Sequence, residues 1–174
     1  MLLDNLTFDQ LLWLIPILLT IHNAEEAPGM ASWSRKMPVR IHPIVTTRQF
    51  VIAVTLLTLA CFVVTGFAIP SPKNSFGIYI MVGIQTIMLV NALAPHLIAT
   101  IRFRMYAPGV VTAVLLNIPF SIYLIGRAIN EGWLDSTAFI SLLVIAPFAL
   151  LALGALFLQI GKWIENFLIA KKAQ

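Results

Sequence analysis

The sequence predicts an all-α integral membrane protein, one domain over residues 1–174 built as a bundle of five transmembrane helices. Three observations predict it. Hydrophobic residues make up 60% of the chain and charged residues 10%, with a mean hydropathy of +0.94. A soluble domain carries about 25% charged residues, so a water-facing globule of this size could not be covered, which excludes a soluble enzyme, a nucleic-acid binder and a disordered segment. Five apolar stretches approach the roughly 20 residues that a spanning helix needs. Basic residues, finally, fall on alternate connections between those stretches, as membrane orientation demands.

The spans are expected at residues 8–27, 50–69, 75–101, 108–127 and 137–160. The N-terminus lacks a basic region and no cleavage site follows the first apolar run, so span one reads as retained rather than as a removed signal peptide. Pro70-Ser71-Pro72 separates spans two and three, and Asn130-Glu131-Gly132 separates four and five. Pro108-Gly109 opens span four, with proline at a first helical position. Pro16, Pro95, Pro119 and Pro147 fall inside spans, where neighbouring helices satisfy the freed carbonyls. Lys162 to Phe167 extends the last span as an interfacial helix, with Trp163 and Phe167 at headgroup depth. The lone cysteine, Cys61, reads as a small core hydrophobe, and the chain has no internal disulfide.

The charges orient the bundle. Arg35, Lys36, Arg40 and Arg48 lie between spans one and two, Arg102 and Arg104 between three and four, and Lys162, Lys171 and Lys172 at the C-terminus. Lys73 and Arg127 lie on the other side, which makes nine basic residues against two. Cytoplasmic connections are enriched in Lys and Arg, so the N-terminus is expected outside and the C-terminus in the cytoplasm. Orientation explains the pI of about 9.6 without a nucleic-acid partner.

The informative segment is His22-Asn23-Ala24-Glu25-Glu26. Residues 11–21 supply only about half a span, so the first helix must include this cluster to cross. Each ionised group there costs about 2.5–3.5 kcal/mol on insertion scales. On an ideal helix His22, Glu25 and Glu26 fall within an arc of about 100° and can face one site. At 1.5 Å per residue, His22 lies about 21 Å from the outer start of span one, and Asn91 and His96 lie about 24 and 30 Å from the start of span three. Thr112 comes about one turn after the inner start of span four. These residues share one depth near the cytoplasmic face. Asn91 and His96, five apart, stand about 140° apart on an ideal helix; either a kink at Pro95 changes that angle or Asn91 serves helix packing only.

His22-x-x-Glu25-Glu26 resembles the signature of the HXXEE family of small bacterial membrane proteins. Asn91-Ala-Leu-Ala-Pro-His96, followed by Arg102-Phe-Arg104-Met-Tyr106-Ala-Pro108-Gly109-Val-Val-Thr112, is similar to that family's second block. The resemblance implies a multi-pass protein of the bacterial cytoplasmic membrane in which His22, Glu25, Glu26, His96 and the Tyr-x-Pro-Gly turn act together. It carries no substrate or reaction.

The residues fit a divalent metal site best, for zinc, iron or manganese. His22, Glu25, Glu26 and His96 are the candidate ligands, with Glu25 or Glu26 also as general base, and Asn91, Tyr106 and Thr112 as supporting groups. A bundle core holds such sites between facing helices. Its depth suits a metal-dependent hydrolase or lipid-modifying enzyme acting on a lipid or other lipophilic substrate. Three other readings fit the same residues: metal-free acid/base chemistry or ligand binding of the sterol-isomerase kind, a small proton- or metal-coupled transporter working as a homo-oligomer, and a structural network in which Glu25 or Glu26 pairs with Arg102 or Arg104. No nucleotide or flavin fingerprint is present. Gln85, Asn117 and Gln159 read as interhelical hydrogen bonders, Tyr106 as an interface anchor or a hydroxyl aimed at the site, and Trp33 and His42 as surface groups of a loop. Ala-Pro-Gly occurs at residues 27–29 and 107–109, too short a match to argue a repeat.

Overall fold

The computed structural model describes residues 2–38 and 42–172; Arg40, one of the orienting charges, lies outside them. Among the described residues every regular element is helical. A short 3-10 turn, Leu2–Asn5, precedes α1, Phe8–Glu26. Thr7 starts α1 with a reciprocal cap: its hydroxyl accepts from Gln10 N at 3.2 Å, and the Gln10 side chain accepts from Thr7 N at 2.8 Å, which satisfies two amides that a helix start leaves open. Then come α2, Met30–Lys36, α3, Thr47–Ala68, and α4, Phe76–Asn91. A π-helical segment, Ala92–Leu97, joins α4 to α5, Ile98–Phe103. A second one, Ala113–Asn117, joins α6, Val110–Thr112, to α7, Ile118–Asn130. The last helix is α8, Ser136–Lys172.

Among the described residues four helices are long and apolar enough to cross a membrane: Thr47–Ala68, Phe76–Phe103, Val110–Asn130 and Ser136–Lys172. They match expected spans two to five. The chain is built as a membrane protein by the length and composition of these four. α1 is helical over the expected first span but is not among the four; Asp9, His22, Asn23, Glu25 and Glu26 dilute its apolar character.

Burial inverts what hydropathy alone would suggest. α1, with its polar end, is the central helix: Leu11, Leu12 and Ile15 are fully buried against Ile78, Met81, Val82 and Leu124. α8, strongly apolar, buries only Ala146, Gly161 and Glu165. A helix apolar on its outward faces suits lipid rather than water as its surroundings.

The bundle has two distinct ends. At one, Asn74 N donates to the Trp133 carbonyl at 3.0 Å, Phe8 stacks on Trp133 at 4.6 Å, and Arg127 donates to the Leu6 carbonyl at 2.8 Å. This end holds the start of α1 and the α3–α4 and α7–α8 turns. The opposite end holds the end of α1, all of α2, α5 and the start of α6.

Two boundaries differ from expectation. Pro108 does not occupy a first helical position: Gly109, at φ +89°, caps the helix and Val110 begins it. The residues after 160 are an unbroken part of α8, and they pack. There the Thr46 hydroxyl donates to both carboxylate oxygens of Glu165 at 2.8 Å, and Gln49 Nε2 donates to the Leu158 carbonyl at 3.0 Å. A Cβ on Gly161 would lie 2.5 Å from the Gln49 carbonyl oxygen and 3.2 Å from Ala53 Cβ. Glycine is therefore required for α8 to reach α3.

Gly161→Val should overpack this contact at a cost of about 1–3 kcal/mol, lowering the thermal midpoint of the purified protein in detergent. Gly126→Ala, where an added Cβ meets nothing within 4 Å, should leave the midpoint unchanged or raise it.

Candidate functional site

The last turn of α1 projects His22 and Glu26 one turn apart toward α4. The chain after α4 meets them because its helix is broken. A residue before proline avoids the α region, and Ala94, before Pro95, is extended at φ −139°, ψ 115°. The break resets the helical phase. Asn91 and His96 consequently face the same point: Asn91 Nδ2 lies 3.1 Å from His96 Nε2 and 3.3 Å from His22 Nε2.

His22 and His96 are each 2% exposed and Glu26 7%. Glu26 Oε1 lies 3.1 Å from His96 Nε2 and 3.7 Å from His22 Nε2. The imidazoles meet edge to face, their centroids 4.8 Å apart. One ligand atom from each of the three residues lies within 4.8 Å of the others. Tetrahedral zinc with bonds of about 2.0–2.2 Å sets its ligands roughly 3.3–3.6 Å apart, so this donor set needs only small shifts to hold such an ion.

The surrounding bonds are compatible with one histidine tautomer that suits a ligand role. The Thr112 hydroxyl donates to the Gly109 carbonyl at 3.2 Å and lies 2.9 Å from His22 Nδ1. With its proton on that carbonyl, the hydroxyl can accept from His22 Nδ1–H, the tautomer that leaves a lone pair on Nε2 beside Asn91. A ring nitrogen fixed in this way is the usual support of a metal-ligating histidine.

Gly109 makes the packing possible. A Cβ there would lie 2.8 Å from Glu26 Cγ, 2.8 Å from His22 Cε1 and 3.1 Å from His96 Cε1. The two Ala-Pro-Gly segments also meet, since a Cβ on Gly29 would lie 2.8 Å from Pro108 Cγ. They are contact partners, not a repeat.

Glu25 is not brought into the group. Its carboxylate accepts from Thr112 N at 2.7 Å, Val111 N at 3.1 Å and the Tyr106 hydroxyl at 2.5 Å. These are the open amides at the start of α6, where a carboxylate is favoured by the helix dipole. The expectation of Glu25 as a ligand or base is corrected accordingly: Glu25 caps the returning helix. Among the described residues neither carboxylate pairs with Arg102 or Arg104, which are exposed.

Above the group lies a cavity of about 500 Å³. Its polar part includes Asn23, Asn91 and Asn117 beside His22, Glu26 and His96. Leu57 of α3, Met88 of α4 and Leu151, Phe157 and Leu158 of α8 are among its apolar walls.

Trp33 and His42 also line this cavity, against expectation. Trp33 is 6% exposed on α2 and meets His42 edge to face at 6.3 Å. Met30, Trp33 and Ser34 share a buried face, and this three-to-four spacing was the available signal for a helix in the presumed loop. Gln85 does bond between helices, donating to Ser121 at 2.6 Å. Among the described residues Asn117 does not, as its amide oxygen is buried with no partner there, and Gln159 is exposed. Cys61 is buried in the core as expected.

Comparison with known proteins adds two findings. A family model described as a protein of unknown function with HXXEE motif matches residues 13–124. The uncharacterized protein YrkK of Bacillus subtilis (strain 168) is 32% identical over 143 residues, 82% of this chain and 90% of that protein. No solved structure matches.

The hydrogen bond from Tyr106 to the Glu25 carboxylate, with burial second, pushes the phenol up to about 12. Glu25→Gln should return it toward about 10, as read by phenolate absorbance with Tyr106→Phe as the blank. A raised phenol stabilises the fold fully below about pH 10 and loses that contribution as pH rises through about 12. Wild type should therefore lose stability more steeply across that window than Tyr106→Phe.

Proposed function

This chain belongs to the HXXEE family, and we propose that His22, Glu26 and His96 bind a divalent metal ion beside a membrane-embedded cavity for a lipophilic substrate. The observation that carries this is the convergence of three buried ligand atoms within 4.8 Å of one another on the wall of an apolar cavity. Two imidazoles and a carboxylate suit zinc, iron or manganese. A bound ion supplies Lewis acidity to a substrate oxygen or a nucleophilic water near neutral pH. The residues supply the rest. Thr112 and Gly109 hold the His22 ring, Glu26 offsets the ion's charge, and the walls from α3, α4 and α8 bind the apolar part of the substrate and exclude water. Hydrolysis or modification of a lipid-like molecule is the reaction class that fits.

We place the site at the cytoplasmic side of a five-span protein. α1, at 19 residues, is about 28 Å long, close to the roughly 30 Å hydrocarbon thickness. The end that holds the site also holds the described basic residues of the α1–α3 and α5–α6 connections and of the α8 terminus, whereas Lys73 and Arg127 lie at the other.

One observation favours a metal-free alternative. Asn91 Nδ2 stands within hydrogen-bond distance of both Nε2 atoms, an arrangement that would let Glu26 and the histidines move a proton without an ion.

Elemental analysis of protein purified without chelators separates the two. About one ion per chain is expected for wild type and none for the His22→Ala, Glu26→Ala double variant; metal-free wild type sinks the metal reading. For the topology, in a Cys61→Ser background, Asp4→Cys should label with an impermeant thiol reagent on intact cells, and Lys171→Cys only after permeabilisation.

A further inference from the structure

We propose that Asn117 is a hydrogen-bond acceptor within the cavity, and that the ligand is therefore an amphiphile carrying a hydroxyl or N–H on an apolar chain. This rests on reading the cavity as the substrate site.

Asn117 ends the second π-helical segment, is 1% exposed and lines the cavity. Its amide oxygen is buried with no hydrogen-bond partner among the described residues. Ser75 Oγ and Gln85 Oε1 share that condition, but neither residue lines the cavity. The hydroxyl of Ser121, one turn on, is already committed. Ser121 Oγ donates to the Asn117 backbone carbonyl at 2.6 Å and receives Gln85 Nε2 at 2.6 Å. These bonds hold the turn that carries Asn117 and leave nothing for its side-chain oxygen. Buried acceptors are paired in the great majority of cases, and an exception calls for an explanation. A ligand donor entering the cavity is one that this geometry provides. An amide oxygen only accepts, so the complementary group must carry a hydrogen. Irregular π turns inside long helices occur frequently at functional sites.

The rest of the ligand follows from the walls. Leu57, Met88, Leu151 and Phe157 offer no polar group, so the chain that they bind is apolar. A volume of about 500 Å³ holds about 16 non-hydrogen atoms if each takes the ~30 Å³ share of a water molecule.

The test compares 1-tetradecanol with 1-methoxytetradecane, which keeps the oxygen and loses the donor. Binding is read by the fluorescence change of Trp33, which lines the cavity, against a Trp33→Phe control. Wild type should bind the alcohol about tenfold more tightly, as one neutral hydrogen bond allows. Asn117→Leu should bind both alike. The preference should survive chelation of metal, because Asn117 and not the ion supplies it. Equal binding by wild type overturns the proposal, and this comparison stands even if Asn117→Leu fails to fold. A preference that persists in folded Asn117→Leu, or that disappears on chelation, also overturns it. Failure of wild type to bind either compound overturns the cavity reading itself.

Discussion

The close approach of Gly109 to His22, Glu26 and His96 is the constraint on which the site depends. Three side chains from two separate helices pack against one α-carbon, and its φ of +89° favours glycine a second time. The same residue ends the turn that sends the chain back into the bundle and offers its carbonyl to Thr112, which orients His22. Backbone direction, close packing and support of His22 thus converge at one position without a side chain.

Around that point, polar groups that would be costly in a lipid environment are satisfied by irregular backbone. The extended Ala94 interrupts one long helix and turns His96 toward Asn91, while the start of another opens its amides to Glu25. The two π-helical segments touch each other. Irregular backbone at membrane depth is tolerated where it is buried or lines a cavity, and here it does the latter.

Much of the helical frame was legible in the sequence because it rests on apolar length, a property of composition. The polar cluster was legible for the opposite reason, since His22 and Glu26 interrupt an otherwise apolar stretch. His96 could be placed with them by helical rise alone. Rotation was less tractable. Ideal-helix arithmetic set Asn91 and His96 on different faces, and the break at Ala94 cancelled that difference. Glu25 misled because its neighbour in sequence is a site residue, whereas two of its three partners are backbone amides, which carry no side-chain signal. Trp33 and Asn117 were underrated because burial comes from neighbours distant in the chain, and Gly109 because a glycine before a helix looks the same whether or not three side chains rest on it.

α8 contributes one side of the cavity yet none of the polar cluster, and it lies beyond the residues that match the family model. Its polar anchoring runs from the start of α3 to the Leu158 carbonyl at the cavity wall and, beyond it, from Thr46 to Glu165. Part of the cavity wall therefore lies outside the stretch of chain that carries the polar cluster. Under the proposed function, substitutions along the 150–158 face of α8 would alter which ligand fits the cavity while the His22–Glu26–His96 geometry stays untouched.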